Sequence, residues 1–212
     1  MSDIMFSAQI FRHFAGLAAD VQGMSRYRDS GAKASSFYVT RKEPVGVCAA
    51  ITPWNFPILM NTFKMAPMLA SGCTGIFKTA ERTPLSALRV AQLWEEIDGV
   101  VPGVVNMVPG YGEDVGDHIS NHAGIDKIGF TGSTATGKRI LSFGASNMKR
   151  INLELGGKNP VVVMDDANIM KAAMTCHGAG FVNSGQFCGQ PSRLYVHEKV
   201  HDEFVETLVG AA

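Results

Sequence analysis

The sequence predicts an α/β fold built around a mostly parallel sheet. Three observations lead there: seven short runs of β-forming residues, most of them followed by a helical pattern; clusters of glycine and polar residues where several of those runs end; and 23 glycines among 212 residues, about 11% where roughly 7% is usual. Strands joined through helices cannot pair as hairpins, so neighbouring strands run parallel and the helices cover the faces. Surplus glycine marks places where backbone approaches a ligand or turns sharply.

Taken in order, residues 1–24 read as one amphipathic helix, with Ile10, Phe14 and Leu17 on one face and Gly23 as its stop. From Ser25 to Glu43 the chain is polar and basic, and residues 36–41 form a short strand with β-forming residues on both faces, either an exposed hairpin arm or an edge awaiting a partner. After Pro44 the strand runs fall at 45–51, 74–77, 104–108, 127–130, 152–155, 161–164 and 193–196. The clearest helix places Thr83 as N-cap and Pro84 at its first position, with Ala87, Val90, Ala91, Trp94 and Ile97 on one face. A further helix spans about 167–181, and Val200, Phe204 and Leu208 mark the last.

Composition removes several function classes. The 19 Lys and Arg balance 19 Asp and Glu, so no electrostatic case exists for a nucleic-acid partner. No apolar run reaches the 18 or so residues that span a bilayer, and no export signal is evident at the N-terminus. Cys48, Cys73, Cys176 and Cys188 show neither Cys-x-x-Cys pairing nor zinc-ligand spacing, so neither a disulfide framework nor a metal site is expected and a cytoplasmic location fits. His118 and His122, four apart, share a helical face without a third ligand nearby.

The polar clusters follow the strand runs: Pro53-Trp54-Asn55-Phe56-Pro57, Lys78-Thr79-Ala80-Glu81, Pro109-Gly110-Tyr111-Gly112 and Phe130-Thr131-Gly132-Ser133-Thr134. Open parallel sheets bind ligands along the edge where the strands' carboxyl ends gather. Residues 132–138 nearly match a phosphate-binding loop, but Arg139 stands where the magnesium-ligating hydroxyl belongs. The spacing Gly110-x-Gly112-x-x-x-Gly116 is one residue off the dinucleotide fingerprint and reads equally as a tight turn into a helix.

Cys188, between Gly185-Gln186-Phe187 and Gly189, is either a nucleophile in a glycine-flanked loop or a small buried hydrophobe. Glu154, between Leu153 and Leu155 and ahead of Gly156-Gly157-Lys158, is either a desolvated general base or half of a salt bridge with Lys158.

Together these clusters resemble the NAD(P)-dependent aldehyde dehydrogenase superfamily. The matched motifs are Pro53 to Pro57, Lys78-x-x-Glu81 with Thr83-Pro84, Phe130 to Ser133, Glu154-Leu155-Gly156-Gly157-Lys158 and Gly185-Gln186-x-Cys188, in the family's order across essentially the whole chain. The resemblance implies a Rossmann-like cofactor-binding domain followed by the start of an α/β catalytic domain, with a short oligomerisation hairpin. Its bounds would be 1–24 for an N-terminal helix of the cofactor domain, 25–44 for the hairpin arm, 45–154 for the NAD-binding domain and 155–212 for the first part of the catalytic domain.

It also implies roles. Cys188 would attack an aldehyde, Asn55 and the Cys188 backbone N–H would hold the oxyanion, and Glu154 would activate water, with Lys64 a further catalytic residue. Lys78 and Glu81 would hold the adenosine ribose, Gly112 would lie beside the adenine, and Gly132 and Ser133 would take the pyrophosphate. Trp54, Phe130 and Leu155 complete the cofactor set, Trp54 mainly through its backbone. Glu81 favours NAD, with NADP as the alternative, and Glu154 argues for release of a free acid over acyl transfer to a thiol. Phe56, Met60, Phe63 and Phe187 match aldehyde-tunnel positions, implying an apolar or aromatic substrate. A dimer or tetramer is the expected assembly.

Family members are more than twice this length, and no Glu-x-Phe-Gly-Pro run follows Cys188. The expectation is therefore a segment of such an enzyme, with little activity alone; the alternative is a non-catalytic binding or assembly module that retains the motifs.

Overall fold

The computed structural model describes residues 2–29, 31 and 35–212; the parts of the expected first helix and hairpin arm at positions 1, 30 and 32–34 lie outside the described residues. In order the elements are α1 (Ser2–Ala18), β1 (Ser25–Arg28), β2 (Ser36–Val39), β3 (Val47–Ile51), α2 (Pro57–Ala70), β4 (Thr74–Lys78), α3 (Leu85–Glu95), β5 (Val105–Met107), α4 (Asp117–Asn121), β6 (Lys127–Gly132), α5 (Thr134–Gly144), β7 (Arg150–Leu155), β8 (Asn159–Val163), α6 (Ile169–Phe181), β9 (Pro191–Val196) and α7 (His201–Ala211). The mixed α/β class with a parallel sheet is as the sequence indicates. The chain divides into two compact units, Met1–Glu154 and Leu155–Ala212, each described by itself.

In the first unit, β3 pairs in parallel with β4 and with β6, and β4 with β5, giving the order β5-β4-β3-β6-β7. Successive strands step one way from β3 to β5, and the chain then returns to lay β6 on the other side of β3. That reversal is where a crevice opens at the strands' carboxyl ends. Ala50, Met65, Met68, Cys73 and Phe77 form the core between the sheet and α2, with Phe11 of α1 and Trp94 of α3 packed against it.

Several boundaries differ from the sequence reading. Helix α1 ends at Ala18, well before Gly23. The hairpin strand β2 stops at Val39; at the next position the Thr40 N–H donates to the Met24 carbonyl (2.7 Å) while the Met24 N–H donates to the Thr40 hydroxyl (2.8 Å). Thr83 does not cap α3: its hydroxyl donates to the Trp54 carbonyl (3.3 Å), and the helix starts at Leu85. Ile97 lies beyond that helix, half exposed. Helix α2 lacks a local side-chain cap, and the distant Asp3 carboxylate accepts the Ile58 and Leu59 N–H groups (3.2 and 3.1 Å) in its place.

In the second unit β8 and β9 pair in parallel, with Val161 opposite Leu194 and Val163 opposite Val196. Val163, Ile169, Ala173, Cys176 and Phe204 form its core with α6 and α7. Asn168 caps α6, its side chain accepting the Lys171 N–H (2.9 Å), so the helix begins at Ile169 and not near 167. Among the described residues no helix is long and apolar enough to cross a membrane.

Candidate active site

The crevice edge of the first unit gathers side chains from three strand ends. After β3, Trp54 is exposed while Asn55 and Phe56 are half-buried. The turn is held by the Thr83 hydroxyl on the Trp54 carbonyl, which ties the loop after β3 to the one after β4. Phe56, Met60 and Phe63 follow at i, i+4 and i+7 and so share one face of the α2 start. Phe63 is half exposed, whereas Asn61, Thr62, Met65 and Ala66 face the core.

Lys64 runs past Gly129 of β6, with Cδ 3.5 Å from where a glycine Cβ would sit. Burial pushes its ammonium down from the ordinary lysine range, and the nearby Glu154 carboxylate opposes that fall. A lysine so placed gives up its proton more readily than one in water. Glu154 itself corrects the sequence reading. It is exposed, not embedded, because strand alternation in β7 buries Ile151, Leu153 and Leu155 partly on one face and turns Asn152 and Glu154 to the other.

At the end of β4 the Lys78 side chain is 3% exposed, its Nζ donating to the Thr79 carbonyl (3.1 Å) and lying 3.5 Å from Glu81 Oε2. Glu81's own backbone N–H, and the Lys78 ammonium after it, hold the Glu81 carboxyl below the usual carboxylate range. The carboxylate is thus charged at neutral pH and available as an acceptor. Lys78's stem lies against Gly116, whose absent Cβ would be 3.6 Å from Lys78 Cδ. That close approach joins Lys78 to the segment Gly112–Gly116, a single π-helical turn leading into α4, which resolves the glycine run as a turn into a helix.

Ser133 caps α5, its Oγ accepting the Thr136 N–H (3.1 Å). The first turn of α5 is exposed, and a helix start of this kind can receive an anion. Phe130 is buried, its ring packed against Gly132. These features fit a dinucleotide: a charged pair for ribose hydroxyls, an open helix N-terminus for phosphates, and a buried Thr79 hydroxyl without a partner in the same strand-end loop.

In the second unit Cys188 is exposed and Cys176 buried, and in the first unit Cys73 is buried and Cys48 half-buried; all four are free thiols. Three consecutive left-handed residues, Asn183 (φ 51°), Ser184 (φ 58°) and Gly185 (φ 75°), turn the chain out of α6 toward the thiol. Glycine and asparagine tolerate such a conformation, whereas Ser184 stores about 1 kcal/mol or more in it. The loop is held by Asn159 at the start of β8, whose amide donates to the carbonyls of Cys188 (2.7 Å) and Gln190 (3.1 Å). Phe187 is half-buried beside it, and Leu155 opens this unit, likewise half-buried. Asn159→Ala is expected to cost about 1–3 kcal/mol by orphaning two carbonyls and to speed hydrogen exchange across residues 186–190. Unchanged exchange there would show that the amide does not hold the loop.

Asn159, Lys149, Asp3 and Arg139 were not legible as site-related residues. Lys149 Nζ donates to the carbonyls of Ser120 (2.9 Å) and His122 (2.8 Å), closing the end of α4, and burial pushes its ammonium down. Each acts through a partner 22 or more residues away, which no local pattern announces. The His118 and His122 rings lie 5.7 Å apart, and no group of three or more metal-ligating side chains occurs among the described residues.

The Aldehyde dehydrogenase family profile matches residues 1–212. Retinaldehyde dehydrogenase 3 of Mus musculus is 48% identical over 211 residues, covering 99% of this chain and 40% of that protein. Aldehyde dehydrogenase 1A1 of Equus caballus is 48% identical over 213 residues, covering 100% of this chain and 42% of that protein. Among solved structures, PnpE from Pseudomonas sp. WBC-3 in complex with nicotinamide adenine dinucleotide superposes with a TM-score of 0.92 at 44% identity, over 99% of this chain and 42% of that one. The chain therefore spans about two fifths of the length of the relatives it matches.

Proposed function

From the premise that this chain belongs to the aldehyde dehydrogenase family, we propose that it carries the chemical groups for oxidising an aldehyde to a carboxylic acid with NAD(P). The observation that carries this reading is Cys188, the one exposed thiol, presented by a strained and hydrogen-bonded loop.

Cys188 Sγ bonds to the aldehyde carbon, and the carbonyl electron pair moves onto oxygen. The Asn55 side-chain amide and the Cys188 backbone N–H donate to that oxyanion. Lys78, Glu81 and the α5 N-terminus would hold a nicotinamide dinucleotide, which when bound would supply the acceptor for the hydride that the carbon of the Cys188 adduct must lose to become a thioester. Trp54, Phe130 and Leu155 support the same cofactor through backbone and packing, and Gly112 leaves room beside the base.

Glu154 then takes a proton from water as its oxygen adds to the thioester carbonyl; the C–S bond breaks, the thiolate returns and the acid leaves. The exposure of Glu154 gives it access to that water, and its carboxylate in turn favours the charged form of the neighbouring Lys64. Glu81 favours NAD through the ribose hydroxyls. Phe56, Met60, Phe63 and Phe187 present apolar surface, which suits hydrophobic or aromatic aldehydes, consistent with relatives named for retinaldehyde. The exposed hairpin of β1 and β2 serves assembly into a dimer or tetramer.

Alone, the chain holds the catalytic pair but only part of each binding surface, and it turns over little aldehyde. Incubation with NAD and a panel of aldehydes, followed by intact-peptide mass spectrometry, should show an NAD-dependent acyl adduct on Cys188 with little steady NADH formation. Robust turnover would overturn the low-activity reading, and an adduct on another cysteine would overturn the nucleophile. Asn55→Ala should slow formation of that acyl adduct by about 100- to 1,000-fold while alkylation of Cys188 keeps its wild-type rate. A drop of less than about tenfold would remove Asn55 from the oxyanion role.

A further inference from the structure

Two thiols that the candidate site does not use lie together at the other end of the sheet. Cys48 in β3 and Cys73 just ahead of β4 sit near the strands' amino ends, whereas Asn55, Glu81 and Ser133 follow the carboxyl ends. Cys48 stands opposite Gly75 in the parallel register, and Cys73 precedes Gly75 by two residues. Both pack on the face covered by α2, Cys73 inside the buried cluster of Met65, Met68 and Phe77 and Cys48 against it. The Cys73 sulfur collects donors there: the Ser71 hydroxyl (3.5 Å), the backbone N–H groups of Gly46 and Val45, and the Cys48 thiol. The Cys73 N–H donates to the Met68 carbonyl (3.1 Å), which fixes the turn out of α2 that carries it. These surroundings make the two thiols unlike. Burial acts upward on Cys73 but its donors outweigh it, while burial and the neighbouring Cys73 push Cys48 up to about 11.

We propose that Cys48 and Cys73 are a redox pair, in which a small peroxide oxidises Cys73 and Cys48 closes a disulfide between β3 and the turn after α2. The Cys73 thiolate attacks one peroxide oxygen; the O–O bond breaks, hydroxide leaves and takes up a proton, and Cys73 becomes a sulfenic acid. The Cys48 sulfur then displaces the sulfenic hydroxyl: the S–S bond forms, the S–O bond breaks, and the Cys48 proton leaves with the hydroxyl as water. Two thiols and one hydrogen peroxide give one disulfide and two waters. Size selects the oxidant. Cys73 is 4% exposed, so a reagent scarcely larger than water reaches it where a glutathione disulfide does not. Bridging needs the two Cα atoms within about 7 Å, and Gly72 (φ 75°), next to Cys73, gives the turn freedom to adjust.

The experiment treats the folded chain with hydrogen peroxide at pH 8, blocks residual thiols with iodoacetamide in denaturant, and maps tryptic peptides without reductant. Cleavage after Lys42, Lys64 and Lys78 places the two cysteines on separate peptides, so the disulfide registers as a joined pair two hydrogens lighter than their sum. That pair should become the main form of both cysteines, disappear with dithiothreitol, and form about tenfold or more slower with oxidised glutathione at equal concentration. Cys48→Ser should stop at a Cys73 sulfenic acid that dimedone labels on unfolding, and Cys73→Ser should leave Cys48 as the thiol. In the wild-type chain the link closes a loop over residues 49–72 and should raise the urea midpoint by about 1 M. Absence of the joined pair in the wild-type chain overturns the proposal whatever the variants do. A pair that forms only in urea, that joins either cysteine to Cys188 instead, or that oxidised glutathione produces as fast also overturns it. Oxidation of Cys48 at an undiminished rate in Cys73→Ser does the same, since it makes Cys48 the peroxide-reactive thiol, and an unshifted urea midpoint in the linked chain overturns the staple.

Discussion

Treated with iodoacetamide at pH 8, the folded chain is expected to be alkylated first at Cys188, and Cys188→Ala is expected to abolish both that fast phase and the NAD-dependent acyl adduct. The selectivity follows from the surroundings of the other three thiols. Cys73 and Cys176 are buried, and burial pushes the Cys176 thiol up. Burial, reinforced by the neighbouring Cys73, pushes the Cys48 thiol up to about 11. At pH 8 such a thiol is ionised in about one molecule in a thousand, and the thiolate is the reactive form. For Cys73, burial acts upward but is outweighed by hydrogen bonds from the Ser71 hydroxyl and the backbone of Gly46 and Val45, leaving it lowered; its protection is steric, at 4% exposure.

The sign of the pH dependence is fixed. Labelling of Cys48 should rise about tenfold for each pH unit from 8 toward 11. Peptide mass spectrometry resolves the four sites, since each lies in a different stretch of sequence. Equal labelling at pH 8, or an NAD-dependent acyl adduct that persists in Cys188→Ala, would remove Cys188 as the nucleophile.

Phe77→Ala should be the most damaging single change to the fold. Phe77 is 1% exposed on β4, a strand paired on both sides, and packs among Ala50, Met65, Met68 and Cys73. Deleting a buried phenyl ring removes its transfer free energy and leaves a cavity that a sheet can close only partly, about 3–5 kcal/mol in all. Against a typical total of about 5–15 kcal/mol, that leaves the first unit near its unfolding threshold. Urea denaturation measures it directly, with Leu85→Ala as a control: Leu85 is 79% exposed, and its loss should change stability by about 0.5 kcal/mol or less. A shift below about 1 kcal/mol for Phe77→Ala would mean that this cluster does not hold the unit together.

Strand and helix identities were readable because they depend on local periodicity. All seven runs after Pro44 are strands in the structure, from residues 47–51 to 191–196, since short apolar β-forming runs bounded by turns have few other solutions. Helix ends were less legible. Thr83 has the chemistry of an N-cap, but the Trp54 carbonyl, 29 residues away, takes its hydroxyl. Asp3 has no local reason to cap anything, yet it caps α2.

The same division runs through the candidate site. Asn55, Lys78, Glu81, Ser133, Glu154 and Cys188 were singled out by motif, and their positions at strand ends or in turns follow from the alternation of strands and helices. Their environments did not follow. Two flanking leucines suggest an enclosed Glu154, but in a strand adjacent side chains point to opposite faces, and the carboxylate is exposed. Nothing in Gln186-Phe187-Cys188 distinguishes an exposed thiol from a buried one; the turn out of α6 and the Asn159 bridge decide it.

What the sequence determined by itself is the order of elements and the chemical type of each strand-end loop, because periodicity and motif spacing are properties of neighbouring residues. The tertiary structure alone decided which groups are charged, held or reachable: the lowered Lys64 beside Glu154, the Lys78 stem against Gly116, the Arg139–Asp117 link between α4 and α5. Desolvation and hydrogen bonding depend on what lies within a few ångströms in space, and each of these partners is distant along the chain.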